Sequence, residues 1–104
     1  CFLEVKNVTL ERKKNVSEFP DAVTVRGTKH LKALIEAKKN NYESYILYLI
    51  QRENCKFFRI ADDIDIIYKN TFNLAKKNGI KVLCYDCKIT SKKIELNKEI
   101  KIAN

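Results

Sequence analysis

Chain breakers are scarce in this sequence. One proline and two glycines among 104 residues leave no Pro- or Gly-rich linker, and no repeat or low-complexity block divides the chain. One small domain is expected, able to bury about two-thirds of its unfolded surface without covalent staples. Cysteine is limited to Cys1, Cys55, Cys84 and Cys87, too scattered for a zinc site and too few for a secreted disulfide scaffold. A reducing, cytoplasmic setting is expected. Cys84 and Cys87 have redox-motif spacing, but they fall in a β-rich run with no helix start to activate a thiolate, which assigns them to core and surface positions. No apolar run is long enough to span a membrane and no signal segment is visible, so no membrane partner is expected. The chain opens on Cys1 rather than methionine, with a strand pattern beginning at once, as expected of a piece of a longer protein.

Acidic residues are also outnumbered, 13 against 21 lysines and arginines, for a net charge of +8. Such an excess suits a polyanionic partner, because each phosphate neutralised releases counterions and adds sequence-independent affinity. The excess is almost all lysine, as an AT-rich genome also produces without a partner, so a merely solvated basic surface stays open.

What the sequence does contain is concentrated in its first thirty residues. Over Phe2 to Leu10 apolar and β-branched residues predict a strand, in which Phe2, Glu4, Lys6, Val8 and Leu10 share one face. A carboxylate and an ammonium side by side in such a strand are costly to bury unless paired or bound to a metal. Glu-x-Lys suits phosphodiester chemistry, with the carboxylate on a hard divalent cation and the lysine facing the attacking water or the phosphate. A solvated ion pair is the alternative.

Along the chain, Glu11 to Glu18 reads as an exposed polar loop, and Ala22 to Val25 as no more than an edge or bridging segment. Gly27 marks a turn, Thr28 caps a helix over Lys29 to Lys39, and Leu31, Leu34 and Ile35 face the core. Tyr45 to Arg52 reads as a central strand apolar on both faces. Glu53 to Arg59 is a loop or short strand, and Asp62 or Asp63 caps a second helix with a stripe of Ile64, Ile67, Tyr68, Thr71, Leu74 and Ala75, ending at Asn78 and Gly79. Lys81 to Ile89 is a parallel strand, Thr90 to Lys93 a turn, Ile94 to Leu96 an antiparallel partner, and Lys98 to Ile102 a basic tail.

Asp21, Arg26, Lys29 and His30 gather around the glycine turn at a helix start, where backbone N–H groups favour an anion, so Arg26, Lys29 and His30 are candidate phosphate contacts. Asp21 is equally explained as a turn residue after Pro20, His30 as a packed or surface imidazole, and Arg26 as the partner of a helical carboxylate. Gln51, at the end of the central strand, is a further candidate. Asp62, Asp63 and Asp65 are explained by helix capping, and most of the five tyrosines by the core.

The stretches Glu4 to Leu10, Phe19-Pro20-Asp21-Ala22-Val23-Thr24-Val25-Arg26-Gly27-Thr28-Lys29-His30-Leu31, Gln51-Arg52 and Ala61 to Asp65 resemble the C-terminal domain of the sugar fermentation stimulation protein A family. The resemblance covers essentially the whole chain. It implies an α/β fold of the restriction-endonuclease-like PD-(D/E)XK type, a central mixed sheet flanked by two helices and truncated at its N-terminus, over residues 1–104 as one domain, with an oligonucleotide-binding-type barrel ahead of it. It also implies sequence-independent binding of DNA through the phosphate backbone, tied to regulation of sugar (maltose) metabolism. A Mg²⁺-dependent nuclease is the alternative, with Glu4 and Asp21 on the metal, Lys6 catalytic beside them, and Gln51 in support. The fold usually brings one more aspartate from the preceding strand, which these residues do not include. The isolated piece is therefore expected to be inactive, and an interaction module with a degenerate site remains a third possibility.

Overall fold

The seven residues Phe2–Val8 form β1, with Glu4 and Lys6 half-buried and Val8 fully buried on the predicted face. The computed structural model describes residues 1–53, 55–89 and 94–103, with the side chains of Ile89 and Ile94 excluded. The expected turn at Thr90 to Lys93 lies outside the described residues.

After β1 come β2 (Leu10–Lys13), β3 (Val16–Phe19), α1 (Val25–Lys39), β4 (Ser44–Ile50), β5 (Phe57–Ile60), α2 (Ile66–Lys77), β6 (Lys81–Ile89), β7 (Ile94–Glu99) and β8 (Lys101–Ile102). The strands make two four-stranded mixed sheets, ordered β1-β4-β6-β7 and β2-β3-β5-β8. A single central sheet was expected. In the first, β4 lies between β1 and β6, parallel to both, and β7 runs antiparallel on β6. Its central place explains why Ser44–Ile50 is nearly all apolar: one face is buried and the other half-buried.

The second sheet grows from the stretch expected to be a loop. Asn15 takes a positive φ of 66° and turns β2 back on β3, while β5 pairs parallel with both β3 and β8. Polar residues hide these strands because ion pairs, rather than apolar contacts, cover part of them. Glu18, only 3% exposed, accepts two bonds from Arg12 at 2.8 Å and another from Arg59. Arg12 also grips Asp63 at 2.6 and 2.8 Å, and Arg59 reaches Asp62 at 3.0 Å. The hairpin is thereby tied to the loop ahead of α2.

α1 starts one turn earlier than the sequence suggests. Thr24 is its cap, its hydroxyl accepting the Gly27 N–H at 2.9 Å, so Ala22–Val25 is not a strand segment and Gly27 is helical. Glycine is needed there for closeness: a Cβ would lie 2.9 Å from the Thr24 side chain and 3.1 Å from the Tyr68 ring. α2 is capped by Asp65, not Asp62 or Asp63. One Asp65 oxygen accepts the Tyr68 N–H at 3.0 Å and the other the Thr24 N–H at 2.9 Å, so one buried carboxylate holds both helix starts.

Within α2, Tyr68, Thr71 and Ala75 are buried as expected, joined by Phe72, whereas Ile67 and Leu74 are exposed. The rings of Phe19, Tyr48, Phe58, Tyr68 and Phe72 meet with centroids 4.7 to 5.9 Å apart. Leu31, Leu34 and Ile35 bury the inner face of α1. All four cysteines are free. Cys84 and Cys87 are both buried, because the β6–β7 register shifts between Tyr85 and Cys87 and undoes strict alternation. Burial pushes the Cys84 thiol up to about 12, opposite to an activated thiolate. No helix among the described residues is long and apolar enough to cross a membrane.

Candidate functional site

Alternation along β1 brings Glu4 and Lys6 to one face, and the Lys6 ammonium lies 3.3 Å from Glu4 Oε1. His30, two turns into α1, reaches both. Its Nδ1 is 2.7 Å from Lys6 Nζ and 3.1 Å from Glu4 Oε1. Three ionisable groups from a strand and a helix 24 residues apart thus share one contact. Lys6, 12% exposed, is the most enclosed, against 32% for Glu4 and 29% for His30.

The donors and acceptors leave two arrangements of the protons, since His30 Nδ1 can accept from Lys6 or, carrying the proton, donate to Glu4 Oε1. An ammonium has three donors and no acceptor, so a charged Lys6 can donate at once to Glu4 Oε1 and His30 Nδ1. His30 is then neutral, with its proton on Nε2. The cluster carries a net charge of zero in that state, and Nε2–H and the outer Glu4 oxygen remain available to a ligand. Glu4 and His30 border a cleft of about 710 Å³ walled by Phe2, Ala33, Ala37 and Tyr42.

The other expected residues fall around this cluster. Arg26 and His30 are four apart in α1, hence neighbours on one helix face, and Arg26 is exposed. Lys29 is exposed one residue before His30 and borders a second cleft of about 250 Å³ together with Lys32. Among the described residues none of Arg26, Lys29 and Lys32 has an acidic partner, and α1 has no acid in its first turn. Arg26 and Lys29 therefore belong to the helix itself rather than to a glycine turn.

Asp21 is exposed beyond the cis Phe19–Pro20 bond, and no hydrogen bond or ion pair joins it to Glu4, Lys6 or His30. Gln51 donates to Asn7 Oδ1 at 2.8 Å, and Asn7 alternates to the opposite side of β1 from Lys6. The structure thus brings Glu4, Lys6 and His30 into contact, with Arg26 one turn before His30 on the same helix face, while Asp21 and Gln51 make no bond to these three. Direct contact of His30 with Glu4 and Lys6 has no local signature. Lys32 was legible as the next cation on the helix after Lys29.

A hard divalent cation takes six or more oxygen ligands. Here the cluster offers one carboxylate, with one oxygen already against Lys6 and His30, and one imidazole. Among the described residues no group of three or more His, Cys, Asp or Glu side chains is placed to hold a metal. The donor set among the described residues is therefore incomplete.

Comparison with known proteins places this arrangement. The family described as sugar fermentation stimulation protein RE domain matches residues 1–93. A sugar fermentation stimulation protein homolog of Pelagibacter ubique is 57% identical over 103 residues, covering 99% of this chain and 44% of its own length. One of Clostridium acetobutylicum is 48% identical over 101 residues, with 97% and 44% covered. The structure of Pyrococcus furiosus SfsA in complex with Ca²⁺ superimposes with a TM-score of 0.88 over 98% of this chain and 44% of that one, at 21% identity, and so shares the fold. The chain spans under half the length of these relatives. It belongs to the sugar fermentation stimulation protein family, over the region of the RE domain.

Proposed function

We propose that this chain binds DNA through its phosphate backbone without sequence preference, at the Glu4–Lys6–His30 cluster and the cations that continue from it along α1. The observation that carries this reading is the set of Arg26, Lys29 and Lys32 on α1, exposed and without acidic partners among the described residues, with Arg26 one helical turn before His30 on the same face. Surface lysines with no partner are ordinary, but here they adjoin a half-buried lysine and histidine in a chain of net charge +8. The names of the relatives suggest that such binding acts on sugar fermentation. The test is affinity of the full-length protein for fluorescent duplexes of unrelated sequence. Log affinity is expected to fall linearly with log salt, with similar values for each sequence. Affinity indifferent to salt would sink the reading.

A second reading, metal-dependent phosphodiester cleavage on a PD-(D/E)XK-type fold, is favoured by the meeting of Glu4 and Lys6 on one face of β1. The Ca²⁺ complex of the Pyrococcus furiosus relative lends weight to a divalent ion in the longer protein. Because the donor set among the described residues is incomplete, no step is routed through the metal. Lys6 would meet a phosphate oxygen and offset its growing charge, while His30 and Glu4 fix the lysine's position. Full-length protein with Mg²⁺ is expected to nick plasmid DNA, and Lys6→Ala to abolish nicking at DNA concentrations that saturate its weakened binding. Plasmid that stays intact with the parent protein would remove this reading and leave the first.

A further inference from the structure

The surface where α1 and α2 begin is not explained by the cluster alone. Val23 and Val25 are 70% and 67% exposed, and across the junction Ile67 is 64% exposed. These three border the cleft of about 250 Å³ whose cationic rim is Lys29 and Lys32. Its floor is fixed, since Asp65 accepts the Thr24 N–H and the Tyr68 N–H and so locks the two helix starts together. Small aliphatic side chains on a rigid ledge, rimmed by cations with no acids of their own, are poorly placed for water.

Resting on the DNA reading above, we infer that this ledge enters the minor groove of duplex DNA, with phosphates on Arg26, Lys29 and Lys32 and the apolar groups of Val23, Val25 and Ile67 against sugars and base edges. Charge complementarity selects a polyanion. Continuity selects the same polyanion that meets His30, because Arg26, one helical turn before His30 on the same face, stands between the ledge and the cluster. Valine and isoleucine are also of the class that proteins press between base steps, where they bend the duplex. Binding is then expected to favour sequences that deform easily, such as those with TA steps, while remaining free of base-specific contacts.

The test uses the full-length protein and a short duplex carrying a donor and an acceptor dye at its ends. The parent protein is expected to bring the ends together. Val23→Ser with Ile67→Ser is expected to weaken binding about tenfold and to lose the bend, with the salt slope unchanged, because apolar burial releases no counterions. Arg26→Ala should lower that slope by about one. Both changed positions in the double variant are exposed, and an unaltered thermal melt confirms that it folds. A double variant that binds and bends like the parent overturns the inference and leaves phosphate binding intact. Loss of a dimer in sedimentation, or of binding to phosphatidylglycerol vesicles, with DNA binding unchanged, overturns it in favour of a second copy or a lipid surface. A parent protein that binds no DNA removes both.

Discussion

Gly27 shows how one absent atom sets the distance between helices. Alanine there would gain about 1 kcal/mol of helix propensity. Its Cβ would press the Thr24 cap at 2.9 Å and the Tyr68 ring at 3.1 Å, and that ring is in the core, its hydroxyl paired with Tyr48. Displacing a cap costs about 1 kcal/mol, and overpacking a core about 1–3. The losses exceed the gain. Gly27→Ala is expected to destabilise the protein by about 1–3 kcal/mol in thermal or denaturant melts, and an unchanged or raised midpoint would show that α1 can move away. The glycine was legible in the sequence as a special position. Its reason was not, because one of the two groups it avoids, the Tyr68 ring, lies 41 positions later.

At the level of elements, apolar patterning made α1, β4 and β6 readable, since each presents an apolar face or run to the core. It failed for β2 and β3, where the partner of a buried residue is a charge. Hydrogen bonds from Arg12 lower the pKa of Glu18, opposed by burial and aided by Arg59, and Arg12 holds the Asp63 carboxyl down to about 2. A carboxylate whose folded pKa is depressed contributes stability above its unfolded value near 4 and loses it as pH falls through the folded value. Stability is therefore expected to hold steady above about pH 5 and to fall between about pH 5 and 2. Glu18→Gln should flatten that acid limb and cost about 1–3 kcal/mol at neutral pH, the partly exposed arginines keeping the loss below that of a fully buried pair. An acid limb that survives this change would place the titrating groups elsewhere. In α2, Ile67 and Leu74 fit the helical stripe but face out, because Asp65 rather than Asp62 or Asp63 starts the helix and Phe72 takes the inward position.

For the whole molecule, strand alternation put Glu4 beside Lys6 and the helix start brought His30 among the candidates, and the resemblance of Glu4 to Leu10 and Phe19 to Leu31 to a known family spans all three. Their meeting at one point depends on α1 packing beside β1, which no local pattern encodes. Asp21 and Gln51 were read from the same motifs, and neither makes a hydrogen bond or ion pair with those three residues. The two-sheet architecture was illegible because the second sheet is built from strands of two to four residues. The claim that Lys6 and His30 belong to one phosphate-binding centre is tested most directly by a double-mutant cycle on the DNA affinity of the full-length protein, with Lys6→Ala, His30→Ala and both. Residues in one hydrogen-bonded cluster should show a coupling of about 0.5–3 kcal/mol, whereas effects that add to within about 0.5 kcal/mol would mean that the two side chains act separately and that no shared centre exists.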